Sequence, residues 1–193
     1  MKIVIIKYNA GNIQSVQYAL SRMGYDSEVT DDILKINAAD KVIFPGVGEA
    51  GSTMTYLRSH DLDKVIKALR IPVLGICLGQ QLMCSYSEEG NTVCLGIFDV
   101  SVKKFQHSGK IPHMGWNSLL NMKGPLFKDI YEGDYVYFVH SYYVPISALT
   151  IAECDYFGIF SAATLKDNFF ATQFHPEKSG DIGHRILKNF IEL

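Results

Sequence analysis

Three side chains in this sequence have the types and spacing of a nucleophilic site. Val73-Leu-Gly-Ile-Cys-Leu-Gly-Gln-Gln-Leu82 reads as an apolar strand, a turn at Gly75-Ile-Cys-Leu-Gly79, and helical spacing resumed at Leu82. A cysteine with glycine two residues to either side has the form of the G-x-S-x-G nucleophile elbow, with sulfur in place of oxygen. Such a turn holds the nucleophile in a strained conformation, and the glycines keep other side chains out of its way. The helix that follows directs its N-terminal end at Cys77, which favours the thiolate. Taken alone, the segment also reads as a buried structural cysteine beside two packing glycines.

Gln173-Phe-His-Pro-Glu-Lys178 supplies what a thiol nucleophile lacks. Pro176 biases His175 away from helix, and in extended backbone residues i and i+2 point to one side, so His175 and Glu177 are expected to share a face. A carboxylate there accepts the imidazole N–H, fixes its tautomer and stabilises the imidazolium formed when Cys77 gives up its proton. An isolated His-Pro-Glu is equally a surface turn. Joined to a cysteine elbow in the same chain, it reads as a Cys77, His175, Glu177 triad for covalent acyl chemistry.

The elements that must position these residues follow from hydrophobic pattern. Lys2–Ile6, Asp26–Thr30, Lys41–Phe44 and Pro72–Ile76 read as strands, the first a continuous apolar run typical of a buried parallel strand. Between them, Asn12 is placed to cap a helix with an Ile13, Val16, Leu20, Met23 stripe that stops at Gly24, and Ser52 to Leu69 reads as a further helix. Strands separated by helices imply parallel pairing in a layered α/β sheet. Past Gly90 the texture changes to Val100–Phe105, Tyr135–Val139, Phe157–Leu165 and Phe169–Phe174, closely punctuated by Gly, Pro and Asn, which predicts antiparallel hairpins. A last helix covers Ile182–Ile191. There is no linker, repeat or low-complexity segment, so residues 1–193 read as one domain.

Composition narrows the chemistry. The chain has 193 residues, 48% of them hydrophobic and 20% charged, which suits one packed globule. Lys plus Arg number 18 against 20 Asp plus Glu, with no basic run, so neither nucleic acid nor an anionic membrane is the expected partner. No apolar stretch approaches the roughly 20 residues that span a bilayer. Cys77, Cys84, Cys94 and Cys154 form no CxxC pair, so reduced thiols and a cytoplasmic location are expected. No metal is expected either, because H-E-x-x-H and paired-cysteine spacings are missing. Gly46-Val-Gly48 lacks the further glycines or GK[ST] of a nucleotide loop, and no cofactor is expected. His60, His107 and His184 have no partner signal in sequence.

The elbow with Gln81, together with His175-Pro-Glu177, resembles the class I (triad) glutamine amidotransferases. Ala10-Gly-Asn12, Pro45-Gly-Val-Gly48, Pro112-His-Met-Gly-Trp-Asn117, Tyr137-Phe-Val-His-Ser-Tyr142 and Lys178-Ser-Gly180 narrow the likeness to the glutaminase subunits of imidazole glycerol phosphate synthases. These segments run in order over essentially the whole chain. The resemblance implies a flavodoxin-like class I glutamine amidotransferase fold, with a central mostly parallel sheet flanked by helices and extra antiparallel strands in the C-terminal half. It implies glutamine hydrolysis with Cys77 as nucleophile, His175 as base then acid, and Glu177 as its orienter. Gly46, Val47 and Gly48 would form the oxyanion strand beside the Leu78 N–H. Gln81, Ser141 and Tyr142 would contact glutamine. Asn12, His113, Trp116, Asn117 and Lys178 would lie toward a cyclase subunit, in a heterodimer that serves histidine biosynthesis. Gln80 departs from the family, which commonly has an apolar residue there. Two other readings stay open at this point: a glutaminase for anthranilate or para-aminobenzoate synthesis, and a binding module that has lost turnover.

Overall fold

The computed structural model describes residues 1–8 and 13–193. The first half alternates strand and helix: β1 (Ile3–Ile6), α1 (Ile13–Arg22), β2 (Ser27–Thr30), α2 (Ile33–Asn37), β3 (Lys41–Phe44), α3 (Ala50–Ser59), α4 (Leu62–Ala68), β4 (Val73–Ile76) and α5 (Leu78–Met83). Strands dominate the rest: β5 (Cys84–Ser87), β6 (Thr92–Val93), β7 (Phe98–Lys104), β8 (His113–Ser118), β9 (Tyr135–His140), β10 (Tyr142–Tyr143), β11 (Thr150–Asp155), β12 (Ile159–Lys166) and β13 (Phe169–Thr172). Helix α6 (Gly180–Ile191) closes the chain. The proposed cap Asn12, with Ala10 and Gly11, lies outside the described residues.

Among the described residues a seven-stranded sheet has the order β11-β12-β13-β4-β3-β1-β2. Its strands β2, β1, β3, β4 and β13 pair in parallel, and β11 and β12 join antiparallel on the far side. β1, β3, β4 and β13 are buried throughout, which explains their unbroken apolar runs. A four-stranded sheet β10-β7-β5-β6 and the hairpin β8-β9 flank it. One core cluster, with Phe138, Phe160, Phe174 and Phe190, fills one face of the large sheet; another, with Phe44, Met54, Leu82 and Phe98, fills the other.

Most sequence-predicted elements are present, with instructive differences. The stretch from Ser52 to Leu69 is two helices, because Asp61 takes a left-handed φ of 54° between them; aspartate tolerates that region, so no glycine or proline marks the break. α2 is too short to show a helical period, yet Asp32 caps it by accepting from the Leu34 and Lys35 N–H groups. β8 and β11 lacked a clear period in sequence. The predicted strand Phe169–Phe174 is antiparallel to β12 on one side only; on the other it runs parallel to β4.

Two glycines are required by close approach. A Cβ at Gly79 would lie 2.1 Å from the Phe44 carbonyl oxygen, and one at Gly183 would lie 1.9 Å from that of Pro176. The first contact lets α5 start directly against β3; the second seats α6 on the turn that carries Glu177. Gly79→Ala and Gly183→Ala should each cost at least about 2 kcal/mol through overpacking. Gly96→Ala, which meets nothing within 4 Å but has φ +70°, should cost only about 1 kcal/mol of backbone strain. Urea denaturation of the three variants checks that order.

Candidate active site

Cys77 occupies the single-residue turn between β4 and α5, with φ 54° and ψ −106°. Only a few per cent of non-glycine residues adopt positive φ, and strain of this kind concentrates at functional sites. The surroundings over-determine it. The Cys77 N–H donates to the Thr172 carbonyl at 2.7 Å, and the Cys77 carbonyl accepts from the Gln80 and Gln81 N–H groups at 3.0 and 3.3 Å. Sγ lies 3.8 Å from the Val139 carbonyl and 3.6 Å from Gln173 Nε2. As a thiol it donates to the first, and as a thiolate it accepts from the second.

The hydrogen bond to Thr172 O also explains why a C-terminal segment meets the elbow. β13 ends level with β4, Thr172 opposite Ile76, so the chain leaving β13 passes alongside Cys77. His175 follows with its main chain held on both sides: its N–H donates to Tyr137 O at 2.9 Å, and its carbonyl accepts from Ser179 Oγ at 2.6 Å. His175 Nδ1 is 2.8 Å from Glu177 Oε1, and the two residues are 1% and 7% exposed. Glu177 reaches it from a one-turn 3-10 helix, Pro176–Lys178, rather than from extended backbone, so the shared face arises by a different local geometry from that expected.

Burial works to lower the basicity of His175. The Cys77 thiolate, its hydrogen bond, and Glu177 more than offset this and raise the imidazole to about 10. His175 Nε2 makes no hydrogen bond of ordinary length among the described residues, yet lies close enough to Cys77 for the thiolate to act on it. Such contacts tighten when substrate is bound. The constellation is therefore a cysteine beside a strongly basic imidazole that a buried carboxylate orients.

A pocket of about 310 Å³ opens over Cys77, lined by Val47, Gly48, Leu78, Gln81, Ser141 and Tyr142 among others. Of the sequence-predicted residues, these six and Cys77 come together there. Gln81 donates to the Tyr142 carbonyl at 2.9 Å and to Gln173 Oε1 at 3.0 Å. Gly46 presents its carbonyl, not its N–H, to the elbow, and the Leu78 N–H donates to it at 3.3 Å. One expected oxyanion donor is thus engaged within the protein. Tyr8, whose hydroxyl donates to the Pro45 carbonyl, packs behind this strand; burial and then Cys77 push its phenol well above the usual range.

Glu89 also lines the pocket and had no motif to reveal it. Its carboxylate accepts from the Ala50 N–H at 2.9 Å, and burial raises its pKa. Gln173 was legible only as part of the His-Pro-Glu segment. On the outer face, Trp116 (55% exposed) and Met114 are exposed, as is Lys178. His113 differs from the expectation: it is 3% exposed, its ring stacked on Phe138 and Tyr156, so it faces inward rather than to a partner. Asn117 is half-buried. Gln80 is fully buried and donates to Thr164 Oγ1 at 3.2 Å. A larger hollow, about 580 Å³, lies between Met1, Leu34 and Lys35 and has no cysteine or histidine in its lining. Among the described residues there is no cluster of three or more His, Cys, Asp or Glu able to hold a metal, and no helix long and apolar enough to cross a membrane.

The sequence profile of the family described as glutamine amidotransferase class-I matches residues 4–193. Solved structures share the fold: a glutamine amidotransferase of Thermotoga maritima (TM-score 0.66, 16% identity, 100% of this chain and 81% of that one) and PurLQS of the same organism (0.74, 16%, 99% and 97%). The chain is 61% identical to the HisH protein of imidazole glycerol phosphate synthase from Bacteroides fragilis (strain YCH46), and 46% identical to the protein of that name in Photorhabdus laumondii. All of both chains is covered in each case. It belongs to the class-I glutamine amidotransferase family and, within it, to the family of imidazole glycerol phosphate synthase HisH subunits.

The charge pairing in the site is directly measurable. In a titration followed by NMR, the His175 ring should lose its proton near pH 10, well above the ordinary 6.5. In Cys77→Ala the thiolate is gone and burial acts against Glu177 alone, so the midpoint should fall by more than about one unit. An unchanged midpoint in that variant contradicts the pairing.

Proposed function

We propose that the chain hydrolyses glutamine to glutamate and ammonia through a Cys77 thioester. The ammonia goes to a cyclase subunit that makes imidazole glycerol phosphate and aminoimidazole carboxamide ribotide in histidine biosynthesis. The observation that carries this reading is a strained cysteine elbow that opens on the pocket, with a buried, carboxylate-paired histidine beside the cysteine. The high identity to HisH subunits over full length supports the choice of pathway. The four thiols, all buried and unbridged, accord with a cytoplasmic enzyme.

The chemistry follows from the geometry. The Cys77 thiolate attacks the side-chain amide carbon, forming the C–S bond as the carbonyl electrons move onto oxygen. His175 gives its Nε2 proton to the amide nitrogen, the C–N bond breaks, and ammonia leaves a thioester on Cys77. His175, now neutral, takes a proton from water as it attacks the thioester, and glutamate departs with the thiolate restored. Glu177 accepts the hydrogen bond from His175 Nδ1–H throughout. Glu89, the only carboxylate in the described pocket lining, suits the α-ammonium of glutamine, with Ser141 and Tyr142 forming the neighbouring wall.

Oxyanion stabilisation is the step under control. At rest the Leu78 N–H is bonded to Gly46 O and so is not free for an oxyanion. Rotation of the Gly46-Val47-Gly48 backbone would free the donor and turn the Val47 N–H toward the oxyanion, with glycines on both sides lowering the steric cost. One such donor is worth roughly a hundred- to a thousand-fold in rate, and docking of the cyclase is the source of the few kcal/mol of coupling required. Trp116, Lys178 and Asn12 are our candidates for that contact, whereas the Asn117 amide is turned inward to His113 and the Asp155 carbonyl.

Cys77→Ala should abolish glutamine-dependent synthesis by the complex yet leave synthesis from ammonium salts intact, whereas Cys84→Ala, Cys94→Ala and Cys154→Ala should retain most activity. Assays with each nitrogen source separate these outcomes. The purified chain without its partner should hydrolyse glutamine at least about a hundred-fold more slowly than the complex with ribotide bound; equal rates would remove the gating.

A further inference from the structure

Two histidines outside the triad, His113 on β8 and His140 at the end of β9, are buried beside the pocket and unused by the chemistry above. Their hydrogen bonds admit one arrangement of protons. His140 Nδ1 is 2.7 Å from the Tyr142 carbonyl, which only accepts, so Nδ1 carries a proton. His140 Nε2 is 3.0 Å from His113 Nδ1, and His113 Nε2 is 3.3 Å from Asn117 Nδ2. The Asn117 amide is oriented by two further bonds: Nδ2 donates to Asp155 O at 2.9 Å and Oδ1 accepts from the Ser118 N–H at 2.8 Å. Nδ2 only donates, so His113 Nε2 accepts, and the His113 proton sits on Nδ1 and points at His140 Nε2.

All four ring nitrogens are thus used, in one direction, with both rings neutral. A second proton on either ring would set two donors face to face. Stacking fixes the His113 ring between Tyr156, 3.9 Å between centroids, and Phe138. The receiving carbonyl, Tyr142 O, also accepts from Gln81, which donates in turn to Gln173, whose Nε2 is the donor beside Cys77 Sγ.

We propose that Asn117, His113 and His140 are positioning residues of the glutaminase site: a neutral, one-directional hydrogen-bond relay that holds the Tyr142 carbonyl, and with it Gln81 and the Ser141–Tyr142 wall, in place for glutamine. The proposal rests on the reading of this pocket as a glutaminase site. It ties the strand that bears exposed Met114 and Trp116 to the substrate wall through three hydrogen bonds. Burial accords with neutrality: it lowers His113 to about 4, and it lowers His140 to about 3 together with His113 and His175, against the bond to Tyr142. The titratable groups facing the pair are these neighbours and Tyr156; Asp155 takes part through its main-chain carbonyl, and among the described residues no carboxylate contributes to either shift.

Two measurements test the relay. In ¹⁵N NMR of the wild-type protein, both rings should be protonated on Nδ1 and bare on Nε2, without titration from pH 5.5 to 8. Either ring protonated on Nε2 in that range overturns the relay, and this measurement needs no variant. Asn117→Asp, assayed in the complex with the cyclase subunit, puts a carboxylate beside His113 Nε2 and raises the pKa of that ring. Below the new pKa a doubly protonated His113 satisfies both neighbours, and the relay is intact. Above it the ring loses a proton and the chain of donors breaks. The bond to Asp155 O is lost equally at every pH, so the ratio of variant to wild-type KM for glutamine should rise about tenfold from pH 6 to pH 8.5, the loss of roughly one hydrogen bond, while the kcat ratio changes less than about threefold over that range. A purely structural role would lower stability and leave the ratio flat with pH, and a flat ratio overturns the positioning role. A wild-type complex that fails to hydrolyse glutamine would instead sink the reading of the site, whatever the tautomers.

Discussion

The parallel seam between β4 and β13 is the constraint on which the site depends. β4 ends at Ile76 beside Thr172, the last residue of β13, and the main-chain bond from Cys77 to Thr172 carries the pairing one residue past the strand. Because parallel strands point the same way, both chains leave the sheet at the same edge. One turns at once into α5 and exposes a sulfur; the other runs on as Gln173-Phe-His-Pro-Glu177. Nucleophile and base, nearly a hundred residues apart in sequence, meet because hydrogen bonding within a sheet is indifferent to sequence separation. Open α/β sheets place ligand sites at the carboxyl ends of strands for the same reason.

The seam places two costly features side by side. Cys77 is held at positive φ, and a histidine–carboxylate pair is taken almost wholly out of water. A buried pair of this kind survives only when its geometry is good and neighbouring polar groups are satisfied. The His175 main chain is bound at both its N–H and its carbonyl, and Ser179 serves twice, donating to His175 O and accepting from the Tyr137 N–H. Close contacts of Gly79 with β3 and of Gly183 with Pro176 leave the elbow and the Glu177 turn little room to relax. The strain is maintained by packing and main-chain bonds, so the side chains that face substrate are left for chemistry.

The β8–β9 hairpin joins this edge from outside the large sheet. β9 supplies Tyr137 O to His175 and Val139 O to the thiol, while its partner strand carries the exposed Trp116 and Met114. One hairpin therefore touches both the reacting groups and the outer surface. That arrangement suits an enzyme whose turnover answers to a second protein, because a movement of the outer strand is a movement of the wall of the site.

Much of this was legible in one dimension, and the limits have physical causes. Continuous apolar runs mark β1, β3 and β4 because strands buried on both faces need no alternation. The elbow is legible because a strained turn beside close-packed backbone admits few residues, and His175-Pro-Glu177 because the triad partners are local to each other. α2 has too few residues for a period to stand out, and β8 and β11 carry neither an unbroken apolar run nor a clean alternation. The left-handed Asp61 is invisible because aspartate needs no special neighbour to adopt it. The inward turn of His113 could not be read from its motif, since a strand's two faces look alike until the sheet it packs on is known. Glu89 and the partners of Gln173 belong to the site by proximity alone. By itself the sequence determined the chemical groups and the strained turn at Cys77, because bonded neighbours and backbone sterics set those. Only the tertiary structure decided which groups meet, which carbonyl occupies an N–H, and which histidines are buried, because each depends on contacts between segments that no local pattern encodes.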